Sequence, residues 1–229
     1  MTEDTLAEAI AYELRREILR GNLPPGAPIK ERDNAERQGV SRTPMREAIR
    51  ILAKEGLVTL RPLRSPVVAN PSQNEIIDQI RVLHALELLS GELACEKASD
   101  EEIAAIGALK DRIETIYGEA DALDVFELDM QFHSAIVAAS HNAALAETHG
   151  AYMARLWRAR YLSARRKLSR ERVLRQHKAI HAALAARDVA AIKAEIGAHL
   201  AAMIDNIEDH FREERDSDEA ERDQEMKSE

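Results

Sequence analysis

Gly39-Val40-Ser41-Arg42-Thr43-Pro44-Met45-Arg46-Glu47-Ala48 is the stretch that decides the fold. Glycine at 39 can take the left-handed backbone that ends one helix and turns the chain. Ser41 then suits the N-cap of the next helix, where a hydroxyl accepts an otherwise unpaired backbone N–H. Pro44 falls in that helix's first turn, where a missing N–H costs little. Met45, Ala48, Ile49 and Leu52 continue an apolar face at helical spacing until Gly56. Two arginines and two hydroxyls open this helix, a composition suited to phosphate oxygens and guanine edges, and the helix dipole adds attraction for anions.

The flanking sequence gives that helix its setting. Upstream, Leu6, Ile10, Leu14 and Ile18 mark an amphipathic helix over roughly residues 5–20. Gly21 and the turn Leu23-Pro24-Pro25-Gly26 end it, and the polar stretch Lys30–Gln38 reads as a short second helix. Downstream, Leu57–Leu60 and Val67–Ala69 flank a six-residue loop, a hairpin whose tip carries Arg61 and Arg64. Three helices and a hairpin in this order describe a winged helix-turn-helix over residues 5–70. Such a module lays its third helix in the major groove of DNA.

Asn70-Pro71 reads as a linker. Ser72-x-x-Glu75 and Ser99-x-x-Glu102 fit the capping box and open a run of helices expected over 72–97, 100–117, 121–140, 142–167, 170–186 and 189–212. The fold class is therefore mainly α: a winged helix-turn-helix, then an antiparallel bundle of six to seven helices over 72–212. Residues 213–229 are acidic and almost without apolar side chains, so a disordered tail or a frayed helix end is expected.

Composition narrows the function classes. The chain has 229 residues, 45% hydrophobic and 32% charged, and its one cysteine, Cys95, excludes a disulfide framework and any Cys-based zinc finger. The N-terminus lacks a signal-peptide pattern and no apolar run suits a membrane span, so a cytoplasmic protein without membrane partners is expected. The net charge of −9 is unevenly spread. Residues 32–64 hold eight basic and four acidic side chains, whereas residues 213–229 hold three and nine. A basic patch on an acidic chain points to an anionic partner at the N-terminal end.

The second constellation is Asp129-x-x-x-His133, on one helix face, with His177, His181 and His199 further on. His177 and His199 each stand eleven residues from the Arg187-Asp188 turn, so an antiparallel hairpin sets them at equal height, about 16 Å from that turn. His181 has no such counterpart and is left as a supporting residue. These residues read either as an i,i+4 ion pair among hydrogen-bonded histidines or as a metal site of one oxygen and three nitrogens. That donor set suits zinc first, with nickel, iron, copper or manganese compatible, and calcium or magnesium poorly served.

The N-terminal blocks resemble the DNA-binding domain of the GntR family of bacterial transcription regulators. The resemblance is carried by Pro25-Gly26, Gly39–Ala48 and Glu55-Gly56-Leu57-Val58. It implies DNA contacts at Arg32, Ser41, Arg42, Thr43 and Arg46 and at the wing tip, here Arg64. This chain departs from the family with Asn34 and Gln38 at usually apolar positions of the second helix, and with Ser65 for a wing glycine. The helices behind resemble the FCD domain of the FadR-like subfamily, in which Asp-x3-His, a later His and a His 22 residues on are metal ligands. The resemblance therefore implies Asp129, His133, His177 and His199 as the ligands of a divalent ion.

An ion with open positions would accept a small carboxylate. Arg81, or Arg155 and Arg158 beside Trp157, are candidate clamps for it, with His84 and Asn206 lining the same site. The leading reading is a homodimeric regulator that binds palindromic double-stranded operator DNA and answers to a metal and a small organic acid. The alternative is a metal-dependent hydrolase or oxygenase acting on such an acid with an accessory N-terminal domain.

Overall fold

The computed structural model describes residues 6–165 and 170–228. The chain forms two compact units: one runs to Pro71 and takes in Gly150–Tyr161, and the other holds Ser72–His149 and the chain from Leu162 on.

In the first unit, α1 (Leu6–Arg20), α2 (Glu31–Gln38) and α3 (Arg42–Lys54) precede a hairpin of β1 (Val58–Thr59) and β2 (Val67–Val68). The strands are antiparallel, Val58 opposite Val68 and Thr59 opposite Val67. They are shorter than the apolar runs suggest because the pairing ends where the chain enters the loop. Ile10, Leu14 and Ile18 of α1 meet Met45, Ile49 and Leu52 of α3 in one core, with Ile29, Leu57, Val58 and Val68 closing it. Gly39 ends α2 at φ 67°, a conformation costly for any residue with a Cβ. Asn34 is buried, yet its amide donates to the Lys30 carbonyl at 2.9 Å and its oxygen accepts from Arg37 at 3.0 Å. Both bonds are local to α2 and its N-cap, and they satisfy the buried amide within the helix itself. Arg15 and Glu55 form a two-pronged ion pair, at 3.0 and 2.6 Å, joining α1 to the end of α3. Trp157 packs against this same core.

The second unit is helical: α4 (Gln73–Lys97), α5 (Asp100–Ile116), α6 (Ala122–Ala139), α7 (Ala143–Arg155) and α8 (Trp157–Arg165), both shared with the first unit, α9 (Arg170–Ala185) and α10 (Val189–Ser228). Both expected capping boxes form, at Ser72–Glu75 and Ser99–Glu102. α4 packs on α10 and α6, α5 on α6 and α9, and α9 on α10. α4 and α10 approach closely at Gly91, where a Cβ would stand 2.7 Å from the Ile196 Cδ1. Arg187, in the left-handed region at φ 54°, donates to the carbonyls of Cys95 and Ala98 and so closes the C-terminus of α4.

Two expectations are corrected. The helix expected over 142–167 is two, α7 and α8, interrupted at Leu156 without a Gly or Pro to announce it; residues 166–167 lie outside the described residues, as do residue 5 of the first helix and residue 229 of the tail. Of the two expectations for the acidic stretch the helical one holds: it continues α10 to Ser228 rather than being disordered. No Gly or Pro follows Gly197, and extending an established helix costs far less than starting one. Arg215 reaches Gln73 of α4 at 3.1 Å, and His210–Glu214 forms an i,i+4 pair along the helix. No helix among the described residues is long and apolar enough to cross a membrane.

Candidate metal centre and nucleic-acid interface

The outer face of α3 is polar because its inner face carries every apolar residue of the helix that the core needs. Ser41, Arg42, Thr43 and Arg46 are all exposed at its N-terminal end, and its first turn holds no acidic residue to oppose an anion. Ser41 occupies the N-cap with extended backbone, but its side chain makes no capping hydrogen bond, contrary to the sequence expectation. Arg42 forms no hydrogen bond or ion pair with another described residue. Arg46 pairs with Glu31 at 3.2 Å and Arg32 with Glu36 at 3.0 Å. Exposed pairs of this kind are worth about 0–1 kcal/mol, so a phosphate can displace the carboxylate. In the wing, Arg61 is exposed and reaches across the loop, donating twice to the Ser65 carbonyl, at 3.0 and 2.8 Å, which fixes the loop. Arg64 is left outward on that loop, beside a fully exposed Leu63 at φ 56°.

In the second unit, α6, α9 and α10 bring three imidazoles together. The ring centroids of His133, His177 and His199 are 5.0–5.5 Å apart, and their ligand-capable atoms lie within 4.8 Å of one another. Asp129 lies one turn before His133 on α6, and its Oδ1 is 3.0 Å from His177 Nε2 and 3.9 Å from His133 Nε2. His133 and His177 are buried and His199 half-buried. The equal-height argument for the α9–α10 hairpin thus describes the observed pair.

The donor set suits an ion on two grounds. Both ring nitrogens of His177 are buried without a hydrogen bond, even though Nε2 comes so near Asp129. A neutral imidazole buried in this way is costly unless something else takes its lone pair. The other two rings are oriented from behind: His133 Nδ1 is 3.3 Å from Glu87 Oε2, and His199 Nδ1 is 3.1 Å from Gln176 Oε1. Ligating histidines characteristically give their second nitrogen to such a partner, which leaves Nε2 for the metal. Zinc–nitrogen bonds of about 2.0–2.1 Å would require each ring to close in by less than about 1 Å.

Sequence reading did not find the orienting roles of Glu87 and Gln176, nor buried His149, whose Nε2 is 3.5 Å from Glu87 Oε1. The signal available was a carboxylate on the buried face of α4 together with Ile80 and Leu83. His181 does not support the cluster; its Nε2 meets the Ile103 carbonyl at 3.2 Å, over Gly107 of α5.

Of the expected carboxylate clamps, Arg81 shares a unit with the histidines but does not face them. Arg81 lies on the exposed side of α4, paired with Asp78 at 2.9 Å, because Ile77, Ile80 and Leu83 claim the inner side. Arg155 and Arg158 belong to the segment that packs with the first unit, where Arg155 lies over Gly56 and Tyr152. Asn206 is spent on Ser163, donating to its hydroxyl at 2.8 Å. His84 alone approaches, facing Gly197 of α10 two residues before His199. Arg172 of α9 was not singled out by sequence; its Nε is buried without a hydrogen bond, one helical turn before Gln176.

The FCD domain family matches residues 78–202, and the family described as bacterial regulatory proteins, gntR family, matches residues 6–68. The chain belongs to the GntR family and carries an FCD domain. This GntR-family chain is a transcriptional regulator and not an enzyme, so the hydrolase or oxygenase alternative falls. It is 33% identical over 201 residues to the Nta operon transcriptional regulator of Aminobacter aminovorans, covering 87% of this chain and 89% of that one. It is 29% identical over 205 residues to the transcriptional repressor RspR of Escherichia coli, covering 89% of each. Among solved structures, McbR/YncC of Escherichia coli aligns with a TM-score of 0.78 at 22% identity, covering 91% of this chain and 99% of that chain. That likeness confirms the fold of a winged helix-turn-helix joined to a helical domain.

Proposed function

We propose that this regulator binds operator DNA as a homodimer and that a divalent ion held by Asp129, His133, His177 and His199 tunes that binding. The carrying observation is the buried imidazole of His177, close to a carboxylate and two further imidazoles yet without a hydrogen bond of its own. Zinc is the first choice for three nitrogens and one oxygen, with nickel, iron or manganese served by the same donors. When bound, the ion supplies a fixed positive charge and a coordination position that a small organic acid can share. Glu87 and Gln176 hold two of the rings in the tautomer that presents Nε2. Arg172, whose Nε is buried one turn before Gln176, is the cation proposed to meet the acid, beside His84.

On the DNA side, Arg42, Thr43 and Ser41 read or grip the major groove, Arg46 and Arg32 exchange their carboxylates for phosphate, and Arg64 extends from the wing. One such head covers little DNA, so a dyad of two heads on a palindrome is the economical arrangement. The test is a fluorescence titration against the DNA upstream of the regulator's own gene, in metal-buffered and chelated solution. Sequence-selective, salt-sensitive binding whose affinity depends on the metal supports the proposal. Selective binding indifferent to metal removes the sensing part, and absence of selective binding removes the rest.

A further inference from the structure

Glu87 on α4 and His149 on α7 are almost completely buried, 3% and 2% exposed, and neither is a proposed metal ligand. The Glu87 carboxylate spans two rings: Oε2 is 3.3 Å from His133 Nδ1, and Oε1 is 3.5 Å from His149 Nε2. A carboxylate at this depth is tolerable only with N–H donors around it. Here a ring from α6 and a ring from α7 stand in that position. His133 thereby gives Nδ1–H to Glu87 and turns Nε2 toward His177 and His199. A shift of His133 changes its distance to Glu87, and Glu87 is also the neighbour of His149. His149 sits within α7, which runs from Ala143 to Arg155, and it is the last residue of the bundle before Gly150 opens the segment belonging to the first unit.

We propose that Glu87 and His149 are positioning residues that carry the state of the histidine triad onto α7. Metal binding draws His133 inward, fixes Glu87 against it, and through His149 orders α7 and the residues that follow. This rests on the triad holding an ion, as proposed above. It adds a route by which the bundle acts on the helix leading into the other unit.

The experiment titrates zinc into the full-length protein in chelator-buffered solution. It reads bound metal, hydrogen–deuterium exchange over residues 143–155, and the emission of Trp157, the chain's single tryptophan. In the wild type, exchange over α7 slows by about fivefold or more and Trp157 emission changes, both with the midpoint of metal binding. His149→Leu still binds one ion per chain, within about threefold of wild-type affinity, and loses both signals. His149→Gln, whose amide N–H can donate to Glu87, retains them. Glu87→Gln weakens metal binding by about 10–100-fold and loses the α7 signal at saturation, which decides the matter if His149→Leu fails to fold. A full α7 response in His149→Leu or Glu87→Gln, or wild-type metal binding without any α7 response, overturns this proposal and leaves the metal reading standing. Failure of the wild type to bind metal overturns both.

Discussion

Replacing His177 with phenylalanine should leave the variant at least as stable as the wild type in chelator and less stable than the wild type in zinc. In the metal-free state His177 is 1% exposed, its two ring nitrogens lack hydrogen bonds, and its ring lies 4.7 Å from that of Phe132. An unsatisfied buried polar group costs about 1–3 kcal/mol. His177→Phe removes that cost and keeps the aromatic contact, but it adds a little volume and takes the imidazole away from Asp129, 3.0 Å off, and about 1 kcal/mol is set against it for these two effects. The chelated variant is therefore expected to match the wild type or exceed it by up to about 2 kcal/mol. Zinc at a hundred times its dissociation constant stabilises the wild type by about 2.7 kcal/mol. For a domain of this size that is a rise in Tm of about 5–11 °C. The variant should show none of it. Differential scanning calorimetry with chelator and with zinc gives all four values. A chelated variant destabilised by more than about 1 kcal/mol would mean the imidazole was well satisfied in the fold. A zinc shift surviving in the variant would mean that His177 is not a ligand.

Other expectations concern the DNA surface, the helix seam and the caps. Arg42→Ala should cost about 1–3 kcal/mol of operator affinity with an unchanged Tm, since the side chain supports nothing in the fold; unchanged affinity in a binding titration removes it from the interface. Gly91→Ala should destabilise the bundle by about 1–3 kcal/mol, because the new methyl would stand 2.7 Å from Ile196 Cδ1, and a denaturant midpoint equal to wild type would contradict the close α4–α10 approach. The Glu102 carboxyl is held below its ordinary range by the Ser99 backbone N–H and then by His141, so its contribution is present above the unfolded pKa and fades as pH falls through the folded one. Glu102→Gln should therefore flatten the acid-side loss of Tm, and an unaltered slope would show that the box carries no pH dependence.

The parts of this molecule legible in sequence are those fixed by local chemistry. Gly39, Ser41 and Pro44 bracket α3 because only certain residues suit a left-handed turn, a cap and a first helical turn. The two Ser-x-x-Glu boxes open α4 and α5 for the same reason. The meeting of His177 and His199 followed from helix rise and a short turn, again a local matter. What failed depended on facing partners. Arg81 was a candidate clamp by residue type, but its direction was set by the apolar neighbours that the inner face of α4 took up. Ser41 suits a cap chemically, yet its hydroxyl does not make the bond, and Arg61 serves the loop rather than its surroundings. Glu87 and Gln176 acquire their roles only from rings on other helices, 46 residues away for Glu87 and His133, which no spacing rule reaches. For the acidic tail, composition left disorder and a helix end both open, because it weighs against a new helix whereas α10 merely continues one.

The most direct test is the operator dissociation constant of the full-length protein at saturating zinc and again in chelator, with bound metal counted in the same samples. A change of about 5–150-fold, in either direction, alongside one zinc per chain is the expected result. The same dissociation constant in both solutions, with the zinc count passing from one to none, would contradict the coupling of the histidine cluster to DNA.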